Sequence, residues 1–268
     1  MDDVAELRRL EADLAELERR RERSRLFRYR PYSKQMEFHA LGAVHRERLL
    51  LGGNRVGKTE CGGAEFSFHA TGRYPDWWRG RRFDQPINAW AAGITSESTR
   101  DVIQAKLLGP PAHRPSWGTG LLPGDDIVSW SLSRGVPDAV DSIVVKHVSG
   151  GHSLIGFKSY ERGREKFQGA RLHVGWADEE PAADVYAELL ARIGDTGGIC
   201  FLTMTPLLGM SEVVRSYIQP EEVQPAAGGP PDLVKPPHWQ PVDDADETLT
   251  FKVKPPEPVY HRQTGYSI

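Results

Sequence analysis

Cysteine is nearly missing from this chain, with Cys61 and Cys200 the only two in 268 residues. They have no metal-ligand spacing and build no disulfide framework. That fits a reducing, cytoplasmic setting and two buried core thiols. Long apolar runs are missing too. A membrane span needs about 20 consecutive apolar residues, and no stretch approaches that, so no membrane partner is expected. The first residues are charged where a secretory signal is apolar. No internal repeat is present. A charge excess is also missing. The formal net charge of −3 does not advertise a nucleic-acid partner for the whole chain, although a local basic patch stays open. What is there suffices for a substantial core: 39% of residues are hydrophobic, and the length allows one large domain or two small ones.

Three zones differ in composition. Residues 1–30 read as a charged N-terminal arm. Val4, Leu7, Leu10, Leu14 and Leu17 recur at spacings of three and four. This predicts an amphipathic helix with a narrow apolar seam, too short to establish a coiled coil. Seven arginines follow between Arg19 and Arg30. Two readings stand: a solvated helix packed on its own domain, or an arm that docks on a partner subunit or on DNA phosphates.

Residues 31–219 alternate strand and helix signals. "RLLLGG" and "INAWAAG" read as buried strands, and "TSESTRDVIQAKLL" as a helix capped by Thr95 or Ser96. "DSIVVKHVSGGHSLIGFKSY" reads as a β-hairpin. "RLHVGWADEEP" is a strand ending in acids, "ADVYAELLARIGDTGG" a helix, and "ICFLTMTP" a last strand. The pattern predicts an α/β fold with a mostly parallel sheet flanked by helices. Residues 220–268 hold ten of the twenty prolines and read as linker or tail, with one short strand at "TLTFKVK".

The chemistry starts at "LLLGGNRVGKTEC". Gly52, Gly57, Lys58 and Thr59 satisfy G-x-x-x-x-G-K-[ST], a loop whose backbone N–H groups cradle phosphates. The loop also contains Gly53, Asn54, Arg55 and Val56. A helix starting near Lys58 adds its positive dipole end. Lys58 would reach the outer phosphates of ATP, and Thr59 would put a hydroxyl on Mg²⁺. Such a loop needs an acid to hold the metal. Asp178 serves, followed by Glu179 as the base that polarises attacking water. Glu180 reads as a charge near a helix N-terminus. Thr203 and Thr205, at the end of "FLTMTP", can sense the γ-phosphate or the attacking water. Upstream, Gln35 can donate to and accept from the edge of an adenine, with Tyr29 or Tyr32 stacking on the base.

The ordered set "PYSKQMEFH", "GGNRVGKT", "FHATGRYPDWW", "FKSYERGREKFQGARLHVGWADEEP" and "FLTMTPLLGMSEVV" resembles the ATPase domain of the large terminase subunit of tailed bacteriophages, from about Tyr29 to Tyr217. The resemblance implies a P-loop ATPase of the additional-strand, catalytic-glutamate type. It also implies an ATP-driven motor in the host cytoplasm that moves double-stranded DNA into a procapsid. The implied partners are the portal protein, a small terminase subunit and further copies in a ring, often a pentamer; in isolation the domain is expected to be monomeric. It places Gln35 in an adenine motif, Gly52–Thr59 in Walker A, Asp178–Glu179 in Walker B, and Thr203–Thr205 in a coupling motif. Arg164 becomes a candidate arginine finger, with Arg162 and Arg171 as competitors. Arg55 becomes a candidate second catalytic cation, contacting the γ-phosphate or pairing with Glu179 when the site is idle. The family's second domain is a nuclease, and no complete nuclease is expected in residues 220–268. Two other functions stay open: a small-molecule kinase, and a non-catalytic nucleotide-binding assembly protein. The cations between Arg79 and Arg82 are DNA-contact candidates by charge alone.

Overall fold

In the computed structural model, residues 2–205, 211–217 and 249–253 are described; for 2–5, 17–23 and 249–253 only the backbone is. Helices α1 (Asp2–Arg23), α2 (Arg25–Arg28) and α3 (Ser33–Leu41) lead into strand β1 (Glu47–Gly52) and helix α4 (Lys58–Thr71). Strand β2 (Asn88–Gly93) precedes a helical segment made of α5 (Ser96–Ser98), a π-helical stretch (Thr99–Gln104) and α6 (Ala105–Leu108). Then come β3 (Ile127–Leu132), β4 (Val140–Lys146), β5 (His152–Ser159) and β6 (Val174–Asp178). Helix α7 (Ala183–Gly194), β7 (Ile199–Met204), α8 (Glu212–Tyr217) and β8 (Leu249–Val253) complete the order.

One sheet runs β3-β4-β5-β2-β6-β7-β1-β8. Strands β5, β2, β6, β7 and β1 are parallel, so their carboxyl ends share one edge. Strand β7 lies between the glycine-rich strand β1 and the acid strand β6. Alternation along each strand separates two cores. Leu50, Trp176 and Phe201 face α3, α4 and α6, while Leu49, Ala177 and Leu202 face α7 and α8. The expected α/β architecture is therefore present, as are the β4–β5 hairpin and the Thr95 cap, which accepts from the Ser98 N–H.

Helix α4 lies deep against the sheet because Gly62 offers no side chain. A Cβ there would stand 2.6 Å from Trp176 Nε1. A buried cluster ties α3, β1 and α4 together. Arg48 donates to the Phe38 carbonyl at 2.7 Å and forms an ion pair with Glu65, which also bonds His39 Nδ1 at 2.7 Å. Burial alone would raise the Glu65 carboxyl. Arg48 and the bonds from His39 and His69 instead hold it well below its usual range.

One reading changes, and one expected strand gains a partner. Leu7, Leu10 and Leu14 are each more than half exposed, so these three seam residues do not pack on the described part of the domain. The strand expected at "TLTFKVK" forms as β8, which pairs antiparallel with β1 and covers its open edge. The remainder of that zone lies outside the described residues. No helix among them is long and apolar enough to cross a membrane.

Candidate nucleotide-binding site

The loop between β1 and α4 stands at the carboxyl edge of the parallel strands, where α/β sheets place their ligands. Gly57 takes φ 82°, and Arg55 takes φ 66°, a left-handed value uncommon outside glycine. Gly53, Asn54 and Arg55 are exposed, and Val56 is half-buried. Lys58 is buried and its Nζ donates to the Gly53 carbonyl at 2.6 Å, spanning the loop where phosphate oxygens would bind. Burial lowers the Lys58 pKa, while Glu179 and Asp178 oppose that shift.

The acids converge on this loop. Asp178 ends β6, and Thr59 Oγ1 donates to its two oxygens at 3.1 and 3.2 Å. Burial pushes the Asp178 carboxyl up to about 6, against bonds from Thr203 and Thr59. A divalent cation would hold it ionised. Among the described residues no group of three or more His, Cys, Asp or Glu side chains is placed to hold a metal. The oxygen donors of Thr59 and Asp178 fit Mg²⁺, which takes one or two protein ligands and completes its shell with water and phosphate oxygens.

Glu179 has φ 63°, held by its N–H on the Thr203 carbonyl at 2.8 Å. Its Oε2 accepts from the Thr205 N–H at 3.2 Å, and Thr205 Oγ1 donates to Asn54 Oδ1 at 3.2 Å. Thr205 thus bridges the glycine-rich loop and Glu179. Tyr160 was not singled out in the sequence. Its hydroxyl reaches the carbonyls of Ala92, Asp178 and Glu179 at 3.0–3.1 Å and supports the strained turn. A tyrosine closing the predicted hairpin segment was the signal for it.

Several expected residues take other positions. Thr203 is fully buried, so it does not face a γ-phosphate. It donates to Asp178 Oδ1 at 2.6 Å and accepts from Trp176 Nε1 at 2.8 Å. Gln35 Oε1 is engaged by the Tyr32 N–H at 3.0 Å, and Nε2 donates to the Gly57 carbonyl at 3.2 Å. Its amide therefore braces the loop from below, leaving Nε2 one further hydrogen. Tyr29 is largely buried against His39, Phe68 and Trp77, with an edge on the cleft that Tyr32 lines. Tyr32 lines an open cleft beside Gly57 and Gln35, with a volume of about 420 Å³.

The arginines separate. Arg55 has no side-chain partner among the described residues, and the expected idle pair with Glu179 is not formed. Arg164 pairs with Glu188 at 2.8 Å, and Arg192 holds the other oxygen of that carboxylate at 2.8 Å. Arg171 pairs with Asp195 at 3.4 Å. Arg162 bonds Ser96 Oγ at 3.1 Å. Among the described residues none of these three reaches the loop or its acids. Arg81 and Arg82 lie over Phe83 and Tyr74, each 5.1 Å from the ring centre.

Residues 49–250 match the family described as terminase large subunit, T4likevirus-type, N-terminal. The large terminase subunit of Salmonella phage P22 is 39% identical over 223 residues, covering 77% of this chain and 45% of the relative. The chain thus spans less than half the length of that protein. A mutant ATPase domain of the Thermus phage P74-26 large terminase superposes with a TM-score of 0.47 at 16% identity, covering 72% of this chain and 71% of that one. The large terminase of a thermophilic bacteriophage, solved with ADP, gives 0.40 at 14% identity over 64% of this chain and 38% of that one. On the family match and the P22 relative, the chain belongs to the terminase large subunit family.

Proposed function

We propose that this chain is the Mg²⁺-dependent ATPase motor domain of a phage large terminase, driving double-stranded DNA into a procapsid in the host cytoplasm. The observation that carries this reading is the meeting of two distant segments: Thr59 of the glycine-rich loop bonds Asp178, and Thr205 links the same loop to Glu179. In this reading backbone N–H groups and Lys58 hold the phosphates. Thr59 and Asp178 hold Mg²⁺, which neutralises charge on the transferred phosphoryl group. Glu179 orients water and takes its proton. Tyr32 and the free hydrogen of Gln35 face the base.

Arg55 is proposed as the cation in cis. Arg164, exposed at 58%, is proposed as a finger offered to a neighbouring copy, once it exchanges Glu188 for phosphate. The portal protein, a small terminase subunit and a ring of copies are the proposed partners. ATP turnover measured with and without duplex DNA tests the motor reading against a small-molecule kinase. The motor predicts stimulation by duplex. Turnover that depends strictly on a small-molecule acceptor would overturn it.

A further inference from the structure

Beyond the acid pair, on the same sheet edge, the ends of β2 and β5 open into a second cavity of about 240 Å³. Four cations line it: Arg100, Lys158, Arg162 and Lys166. Asp141 is the single lining carboxylate among the described residues. Arg100 is already committed to Asp101 at 2.7 Å. The other three have no carboxylate partner among the described residues. Arg162 reaches hydroxyls only, Ser96 Oγ at 3.1 Å and Ser133 Oγ at 3.4 Å. Lys158 is half-buried, its ammonium 4.8 Å from the centre of the Trp90 ring. Lys166 is exposed and has no ion-pair partner among the described residues.

The neighbouring Glu161 carboxylate offsets only part of this charge, through Arg162. Its Oε1 is taken by the Ser96 N–H at 2.7 Å and the Ser96 hydroxyl at 2.8 Å. Burial lowers the Lys158 pKa; Asp141 opposes that, and Lys166 and Arg162 lower it further. Three like charges held around one cavity repel each other, and an oxyanion guest would relieve the repulsion. The volume far exceeds the ~10–15 Å³ that one water needs. Arginine and lysine beside hydroxyl donors are the side chains that bind phosphate oxygens.

We propose that this cavity is a second phosphate-binding pocket, separate from the glycine-rich loop, in which Lys158, Arg162 and Lys166 hold one phosphate group. The phosphate comes from a nucleic-acid backbone or is free in solution; only the first source rests on the motor reading. The pocket also has a path to the acids. Ser159 and Arg162 flank Tyr160, whose hydroxyl supports the Asp178 and Glu179 carbonyls.

The test titrates inorganic phosphate calorimetrically into the full chain carrying Lys58→Ala, which weakens the loop. It also measures short-duplex binding across a salt series. The combined Arg162→Gln and Lys166→Gln change should weaken phosphate at least about tenfold. If the source is DNA, it should lower the slope of log affinity against log salt by about 0.9. Asp141→Asn should tighten whichever ligand binds. A phosphate effect without a DNA effect supports the pocket with free phosphate as guest, and the converse supports the backbone. An unchanged affinity for both, at an unchanged melting temperature, overturns the proposal. If the double variant melts early, Asp141→Asn decides, and no tightening of either ligand overturns it. The phosphate titration needs no ATP turnover, so a failed motor reading leaves it intact.

Discussion

Replacing Thr203 with valine removes one hydroxyl and little volume. That hydroxyl is fully buried, donates to Asp178 Oδ1 at 2.6 Å and accepts from Trp176 Nε1 at 2.8 Å. Leaving the indole N–H without an acceptor costs about 1–3 kcal/mol. Losing a hydrogen bond to an ionised carboxylate costs about 1.5–3 kcal/mol, and only while Asp178 is ionised. The folded-state pKa of Asp178 is raised from 3.8 to about 6. The folded state therefore binds this proton more tightly than the unfolded chain. Stability from this group is fully present below pH 3.8 and is lost as pH rises through about 6. Without the Thr203 donor the folded pKa rises further, so ionisation costs more. The stability loss in Thr203→Val should be about 1–3 kcal/mol at pH 5 and about 2.5–6 kcal/mol at pH 8. Urea unfolding at both pH values measures it, with Thr203→Ser as the variant that keeps the hydroxyl. An equal loss at both pH values, or an equal loss in the serine variant at pH 8, would refute the assigned hydrogen bonds.

Other consequences are as specific. Arg55→Ala should lower kcat far more than ATP affinity, by up to ~10³–10⁵ where such cations have been dissected; an unchanged kcat would leave Arg55 as a loop ornament. Gly62→Ala should destabilise the fold by about 1–3 kcal/mol, because the added Cβ meets Trp176 Nε1 at 2.6 Å, and an unchanged melting temperature would contradict that contact. Mg²⁺ affinity should fall about tenfold per pH unit below about 6 as Asp178 protonates, and a flat calorimetric profile from pH 5 to 8 would remove Asp178 from the metal.

Local signals carried much of this fold into the sequence. The glycine-rich loop, the alternating strand ends and the Ser-Gly-Gly hairpin turn each depend on a few adjacent residues, and all stand where their chemistry requires. Partnerships between distant segments were not legible. Nothing near Thr203 says that Trp176 will donate to it, since that contact exists only once β6 and β7 are in register. Gln35 has the right chemistry for a base, but its place at the start of α3 points its amide at the Tyr32 N–H and the Gly57 carbonyl. Arg48 and Glu65 are two ordinary charges in the sequence and a fully buried pair in the fold. Arg164 is a candidate finger in the sequence, where its partner Glu188, on a helix 24 residues away, is not legible. Strand β8 was legible from the β character of its own five residues despite its proline-rich surroundings, but its antiparallel pairing with β1 was not.

Glu179→Gln is the most direct test of ATP hydrolysis at this site. Steady-state turnover and ATP binding should be measured on the same preparation, with Mg²⁺ present. Turnover lost by at least about 10² with ATP affinity retained is the predicted result, since only the base is removed. Turnover retained in Glu179→Gln would contradict the assignment of these acids and of the hydrolysis built on them.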